Sequence, residues 1–412
     1  MRPLVHPRPR SLAPALAALT AAALLVSACG TPGTDVDGAG AGATTPTTGR
    51  VLVADSTSRL GADVVATDTP AARLRGELAA RLQATTVATA LVVQVRTEGS
   101  DPTSADAALS AAIDDTAAVW AEVYGDDAGA AFGQAWRLHT DDVLAYADAR
   151  SGDDPTGAAA NQRELTAFAD DVGALLGSGF PAVPAASVVA SLEDHLDATV
   201  AAVDAIVLAD PVAPARLVAA SETAEATATT IAAGIAAQQP DRYPGDVESP
   251  AATLRSALVT GLGAHVAMGA AGDAAALDDV GAELVEGLGL VVPPDQAAAV
   301  TAIWQAHSAA VADLAVARDG GDADARQAAE DEVRTTAVAW ARALAEVTSL
   351  DPATADDVAE GLSAAVIASA GATRIDASTA GPDLRSAMGA VAPVAAGLAD
   401  ALARANPDRL PG

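Results

Sequence analysis

A chain of 412 residues is long for one domain and comfortable for two. Hydrophobic residues make up 51% of it but aromatics only 2%, so the core has to be built from Ala, Val and Leu, which favours close-packed helices over strands. The formal charge is −31 and all 23 basic residues are arginine, a balance that repels nucleic acid and anionic headgroups and excludes partners of either kind.

Residues 1–28 have the three parts of an export signal. Arg2, Arg8 and Arg10 supply the positive charge, Leu12 to Val26 is apolar, and small residues follow. The apolar core is too short for a permanent membrane span. The tetrapeptide Val26-Ser27-Ala28-Cys29 resembles the bacterial lipobox, in which cysteine is lipidated and becomes the first mature residue. Cys29 is the only cysteine in the chain, so no internal disulfide competes for it. The resemblance implies a protein held by two acyl chains on the outer face of the cytoplasmic membrane, its body extracytoplasmic. The mature charge would be −34, three arginines having left with the signal. Residues 29–69 read as the lipidated cysteine and a Gly/Thr/Pro/Ala-rich spacer, with Val51-Leu52-Val53 as a short extended piece. No later segment reads as a spanning helix, which predicts a soluble body.

From Pro70 onward the periodicity is helical. The spacing predicts helices over 71–96, 104–124, 126–150, 156–177, 184–208 and 213–238, separated by Gly, Ser, Asp and Pro punctuation. Asp126, Asp153 and Asp210 stand where a carboxylate would cap a helix start. Within the third helix, Phe132, Trp136, His139, Val143 and Tyr146 fall on one face and predict a buried stripe.

The same helix recurs 168 positions on, with Trp304 and His307 in the places of Trp136 and His139. Leu254-Arg255 answers Leu74-Arg75, and Trp340 with Leu344 is read against Phe168 and Val172. Both stretches close on nearly the same words, Pro240-Asp241-Arg242-Tyr243-Pro244-Gly245 and Pro407-Asp408-Arg409-Leu410-Pro411-Gly412. The expectation is an all-α chain of two tandem antiparallel six-helix bundles, residues 70–246 and 250–412, with Phe132, Trp136, Tyr146, Trp304 and Trp340 in their cores.

Tyr124-Gly125, Phe132, Trp136, His139, Tyr146, then Leu192 with His195, and finally Ile231, Ile235 and Pro240 form a pattern. It is similar to a helical domain of secreted and surface proteins of Gram-positive bacteria. The resemblance spans both copies and implies a helical fold at the cell surface with no particular activity. The second copy departs from it, with Leu314 for the tyrosine and Ala365 for the second histidine.

Two readings of the histidines stand side by side. In one, His139 and His195 form a transition-metal site in the first bundle, with Glu164, Asp142 or Glu193 as carboxylate partner, and His265 with His307 forms a second. In the other they are core residues that hydrogen-bond across helices. The missing Glu-x-x-His and His-x-x-x-His pairs, and the different helices used in the two copies, favour the second. Asp319-Gly320-Gly321-Asp322-Ala323-Asp324 has a flavour of a calcium loop but reads more simply as a turn and cap, and the Asp114-Asp115, Asp141-Asp142, Asp170-Asp171 and Asp356-Asp357 doublets read as solvated faces. No nucleophile elbow, phosphate loop or dinucleotide fingerprint occurs. The function expected is therefore non-enzymatic, a binding or structural module at the envelope whose partner, a protein or a small ligand, is unidentified. It needs no cofactor unless the metal reading holds.

Overall fold

A computed structural model describes residues 65–180 and 182–410. The signal, Cys29, the spacer and Val51-Leu52-Val53 lie outside the described residues. Within them the chain is all-α, without a strand. A single 3-10 turn (Ala66–Asp68) leads into α1 (Pro70–Thr97), α2 (Thr103–Tyr124), α3 (Asp126–Ser151), α4 (Pro155–Gly179), α5 (Ala185–Val207) and α6 (Ala213–Gln238). The second half comprises α7 (Pro250–Ala271), α8 (Ala274–Leu288), α9 (Pro294–Asp319), α10 (Ala323–Thr348), α11 (Pro352–Ser369), the five-residue α12 (Ala372–Asp376) and α13 (Ala380–Ala405).

The starts follow from local chemistry. Pro70, Pro155, Pro250, Pro294 and Pro352 occupy first-turn positions, where the missing N–H is no loss. Thr69, Asp154, Ser249, Asp273, Asp322 and Asp351 each accept from the free N–H groups of the helix that follows. The caps expected at Asp126, Asp153 and Asp210 fall elsewhere. Asp126 sits inside the first turn of α3, where it meets the helix dipole without capping. Asp153 takes a left-handed backbone (φ 53°) and passes the capping role to Asp154, whereas Asp210 bonds the N–H of Val212 just before α6.

Each half closes on itself. Helices α1 to α6 pack in sequence and α6 returns to α1; α7 to α11 do the same, and α13 returns to α7. The two rings meet chiefly along α1 and α7, with α13 against α2 and α6 against α8 on either side, so one continuous buried cluster runs through both. This explains why α1 and α7 are apolar around most of their circumference. By length and composition α1 and α13 could each cross a membrane, against the expectation that no later segment would. The burial of α1 accounts for its composition, since it is wrapped by its own ring on one side and by α7 on the other. The hydroxyls it carries inward, Thr85, Thr86 and Thr89, return to carbonyls one turn back at 2.8–3.0 Å, so none is left unsatisfied.

Two sets of contacts recur between the halves. Arg242, in the first closing motif, donates to the Val123 carbonyl at the end of α2 (2.9 Å); Arg409, in the second, donates to the Val291 carbonyl just beyond α8 (2.8 Å). At the seam the pattern crosses over. Arg75 of α1 donates to the Val247 carbonyl ahead of α7 (2.8 Å), and Arg255 of α7 donates to the Thr67 carbonyl ahead of α1 (3.2 Å). Each guanidinium also meets a carboxylate on the last helix of its own ring, Arg75 with Glu225 and Arg255 with Asp400. Gln83 completes the seam by donating to the Thr260 carbonyl (2.8 Å), facing Gly263, where an added Cβ would lie 2.4 Å from its Oε1.

Candidate functional site

Helix α3 carries its expected stripe inward. Phe132, Trp136 and Tyr146 are buried, with His139 among them. Trp136 stacks on Phe132 (centroids 5.2 Å apart) and meets Phe168 of α4 edge-on (5.8 Å, 71°) and His139 of its own helix likewise (5.2 Å, 62°). Trp304 on α9 repeats this arrangement. It meets Trp340 of α10 edge-on (4.7 Å, 65°) and lies tilted against His307 of its own helix (5.5 Å, 57°). Room for Trp304 comes from Gly281 on α8, where a Cβ would sit 2.5 Å from the indole. Trp120, which the stripe on α3 gave no reason to include, extends the first cluster by stacking between Tyr124 and Phe132. The signal for it was the Trp-x-x-x-Tyr spacing at the end of α2.

The four histidines among the described residues are all interior. In the first ring His139 stacks on Phe168 (4.8 Å) and feels His195 electrostatically across from α5. Burial drives His139 down to about 3 and His195 down to about 4, the latter opposed by its bond to the Ala220 carbonyl. In the second ring His265 of α7 and His307 of α9 are fully enclosed, their rings 5.2 Å apart and nearly parallel (24°), with His265 also 4.6 Å from Trp304. Burial pulls His307 down to about 4 and His265 well below the ordinary imidazole range, with His307 as the second cause. All four are therefore neutral at physiological pH.

Hydrogen bonding separates the two members of the second pair. His307 Nδ1 lies 3.0 Å from Thr336 Oγ1, and that hydroxyl donates to the Glu332 carbonyl (2.8 Å). The hydroxyl proton being committed, Nδ1 is the donor, and Nε2 of His307 keeps its lone pair. That Nε2, and both ring nitrogens of His265, have no hydrogen-bond partner, as is also true of the Trp304 and Trp340 indole N–H groups beside them.

The carboxylates considered for these sites do not converge on them. Glu164 and Glu193 are exposed, and among the described residues no group of three or more His, Cys, Asp or Glu side chains is arranged to hold a metal ion. The sequence Asp319 to Asp324 forms the turn between α9 and α10, and Asp322 caps α10. A narrow apolar slot where α1, α2 and α13 meet, bordered by Leu91, Leu384 and Met388 with Arg385 at its side, has room for about one water molecule. Glu283 of α8, exposed beside Glu222 of α6, is raised to about 8 by partial desolvation and by the hydrogen bond and like charge of Glu222.

Comparison with family models, with curated proteins and with solved structures finds no match to this chain.

Proposed function

We propose that this chain is a lipoprotein of the outer face of the cytoplasmic membrane, in which a helical body serves the envelope as a non-enzymatic binding or structural module. The observation that carries the reading is the tetrapeptide Val26-Ser27-Ala28-Cys29, placed at the end of an apolar segment and ahead of a spacer, with the only cysteine of the chain at its last position. The character of the interior supports the non-enzymatic part. The described histidines are enclosed and neutral, so none of them is presented to solvent as a general base. The surface carboxylates, paired in part with arginines, keep an alanine-rich body dispersed.

Lipidation is tested by mass spectrometry of the amino-terminal peptide and by cell fractionation. The mature peptide should begin at Cys29 and carry acyl chains, and Cys29→Ser should leave the precursor uncleaved and unlipidated. A mature protein starting elsewhere, or a Cys29→Ser chain still processed and membrane-bound, would sink the reading.

A further inference from the structure

The second ring carries something the first does not. His265 and His307 bring three unpartnered ring nitrogens together in a region closed to solvent, and burying a polar group without a partner costs free energy that folding has to overcome. Trp136 and His139 do not repeat this, because His139 stacks on Phe168 rather than on a second imidazole. At the helix position matching Phe168, 168 residues on, the second ring has Thr336, the hydroxyl that fixes the His307 tautomer.

We propose that the His265–His307 pair is a binding site for one soft monovalent cation, Cu(I) or Ag(I), held by neutral donors at the centre of the second ring. Three features select that class of ion. His307 is oriented through Nδ1–H to Thr336, as a metal-binding imidazole is by its supporting hydrogen bond, which leaves Nε2 as the donor. No carboxylate offsets charge here, so a divalent ion, which would also call for about four ligands, is disfavoured, whereas a d10 monovalent ion is satisfied by two imidazoles. The surroundings are soft and polarisable. The Trp304 ring lies against His265 and presents a π surface to a cation, and the buried thioether of Met268 stands one helical turn from His265 on α7. Two-coordinate binding puts His307 Nε2 and one His265 nitrogen on opposite sides of the ion, each with its lone pair in the ring plane, so the stacked rings have to turn and part for the ion to enter.

The site gives the binding module of the preceding section a ligand, and it rests on that reading only for its biological setting. Fractionation of the Cys29→Ser chain tests the anchor and metal loading tests the site, so either can fail alone.

The test uses the full-length Cys29→Ser chain, because the thiol of Cys29 would itself take up a soft ion, with silver nitrate, and separately with copper kept reduced by ascorbate, loaded to completion because the site is enclosed. After desalting, native mass spectrometry should show one Ag(I) per chain, with quenching of tryptophan emission and a raised Tm, since an ion that binds only the native state stabilises it. His307→Gln and His265→Phe should each abolish retention, and His139→Phe should leave one ion bound. Should those variants fail to fold, ring-nitrogen NMR of the wild-type chain decides. Two of the histidine rings shift on silver addition if the proposal holds, and unshifted rings overturn it. Retention undiminished in the folded His265 and His307 variants, preferential retention of Zn(II), or no retained ion would each overturn it as well.

Discussion

Acid should unfold this protein well before its carboxylates are titrated, and the histidines set the size of the effect. His195 and His307 fall from 6.5 to about 4 on folding. Both are buried, so the shift converts directly, at about 1.4 kcal/mol per unit, to about 3 kcal/mol of stability each. His139, at about 3, and His265 add to this in the same direction. The native pKa is the depressed one, so between about pH 6.5 and 4 the unfolded chain binds protons that the folded chain refuses. Stability is therefore complete above about pH 6.5 and falls as pH is lowered, by about 1.4 kcal/mol per pH unit for each histidine taking part. Two histidines alone cost about 6 kcal/mol by pH 4, comparable with the whole stability of an ordinary domain. Glu283 and Asp400, raised on folding, act in the opposite sense, but Glu283 is exposed and its share is small. Urea unfolding followed by tryptophan fluorescence at several pH values between 7.5 and 4 measures the slope. His139→Phe, which keeps a ring against Phe168, should lower the slope by close to one proton. A wild-type stability that stays flat within about 0.5 kcal/mol from pH 6.5 to 4.5 would refute the reasoning.

Three further outcomes are expected. Trp136→Ala should destabilise by about 3–5 kcal/mol, read from the urea midpoint, because the indole is buried among Phe132, His139 and Phe168; a neutral result would contradict its place in the core. Gly281→Ala should cost about 1–3 kcal/mol and alter Trp304 fluorescence, since the new methyl group meets the indole. Arg242→Ala and Arg409→Ala should each cost about 1–2 kcal/mol and by similar amounts, as each removes a guanidinium from a carbonyl at or just beyond the end of a helix; calorimetry showing one costly and the other silent would deny their equivalence.

The helices were readable because their boundaries are written in local chemistry. Proline, aspartate and glycine act within one turn of themselves, and the six helices expected between 71 and 238 match α1 to α6 to within two residues at each end. The caps were less readable for the same reason at finer scale. In Gly152-Asp153-Asp154-Pro155 either aspartate suits the composition, and only the backbone angle of Asp153 decides between them. Similar wording in the two halves carries no helix register. Trp340 was read against Phe168, yet α4 and α10 start 168 residues apart, which places Thr336 opposite Phe168 and Trp340 one turn further on. What each histidine meets depends on helices far apart in the chain, as with His265 on α7 and His307 on α9, and no spacing rule carries that. The role of Arg242 and Arg409 was hidden likewise, since the repeated motif could be seen but not the carbonyls more than a hundred residues away that it grips.

The crossed arginines have a mechanical consequence. Thr67 lends its carbonyl to Arg255 and its hydroxyl to Asp400, so the strand of chain that enters the fold from the amino-terminal side is stitched into the junction of the two rings before α1 begins. A pull transmitted from that side would first load these polar stitches, and through them the α7 and α13 helices, rather than peeling an outer helix away. The body would resist such tension as a whole, and its first yielding event would be the release of residues 65–69 from the junction.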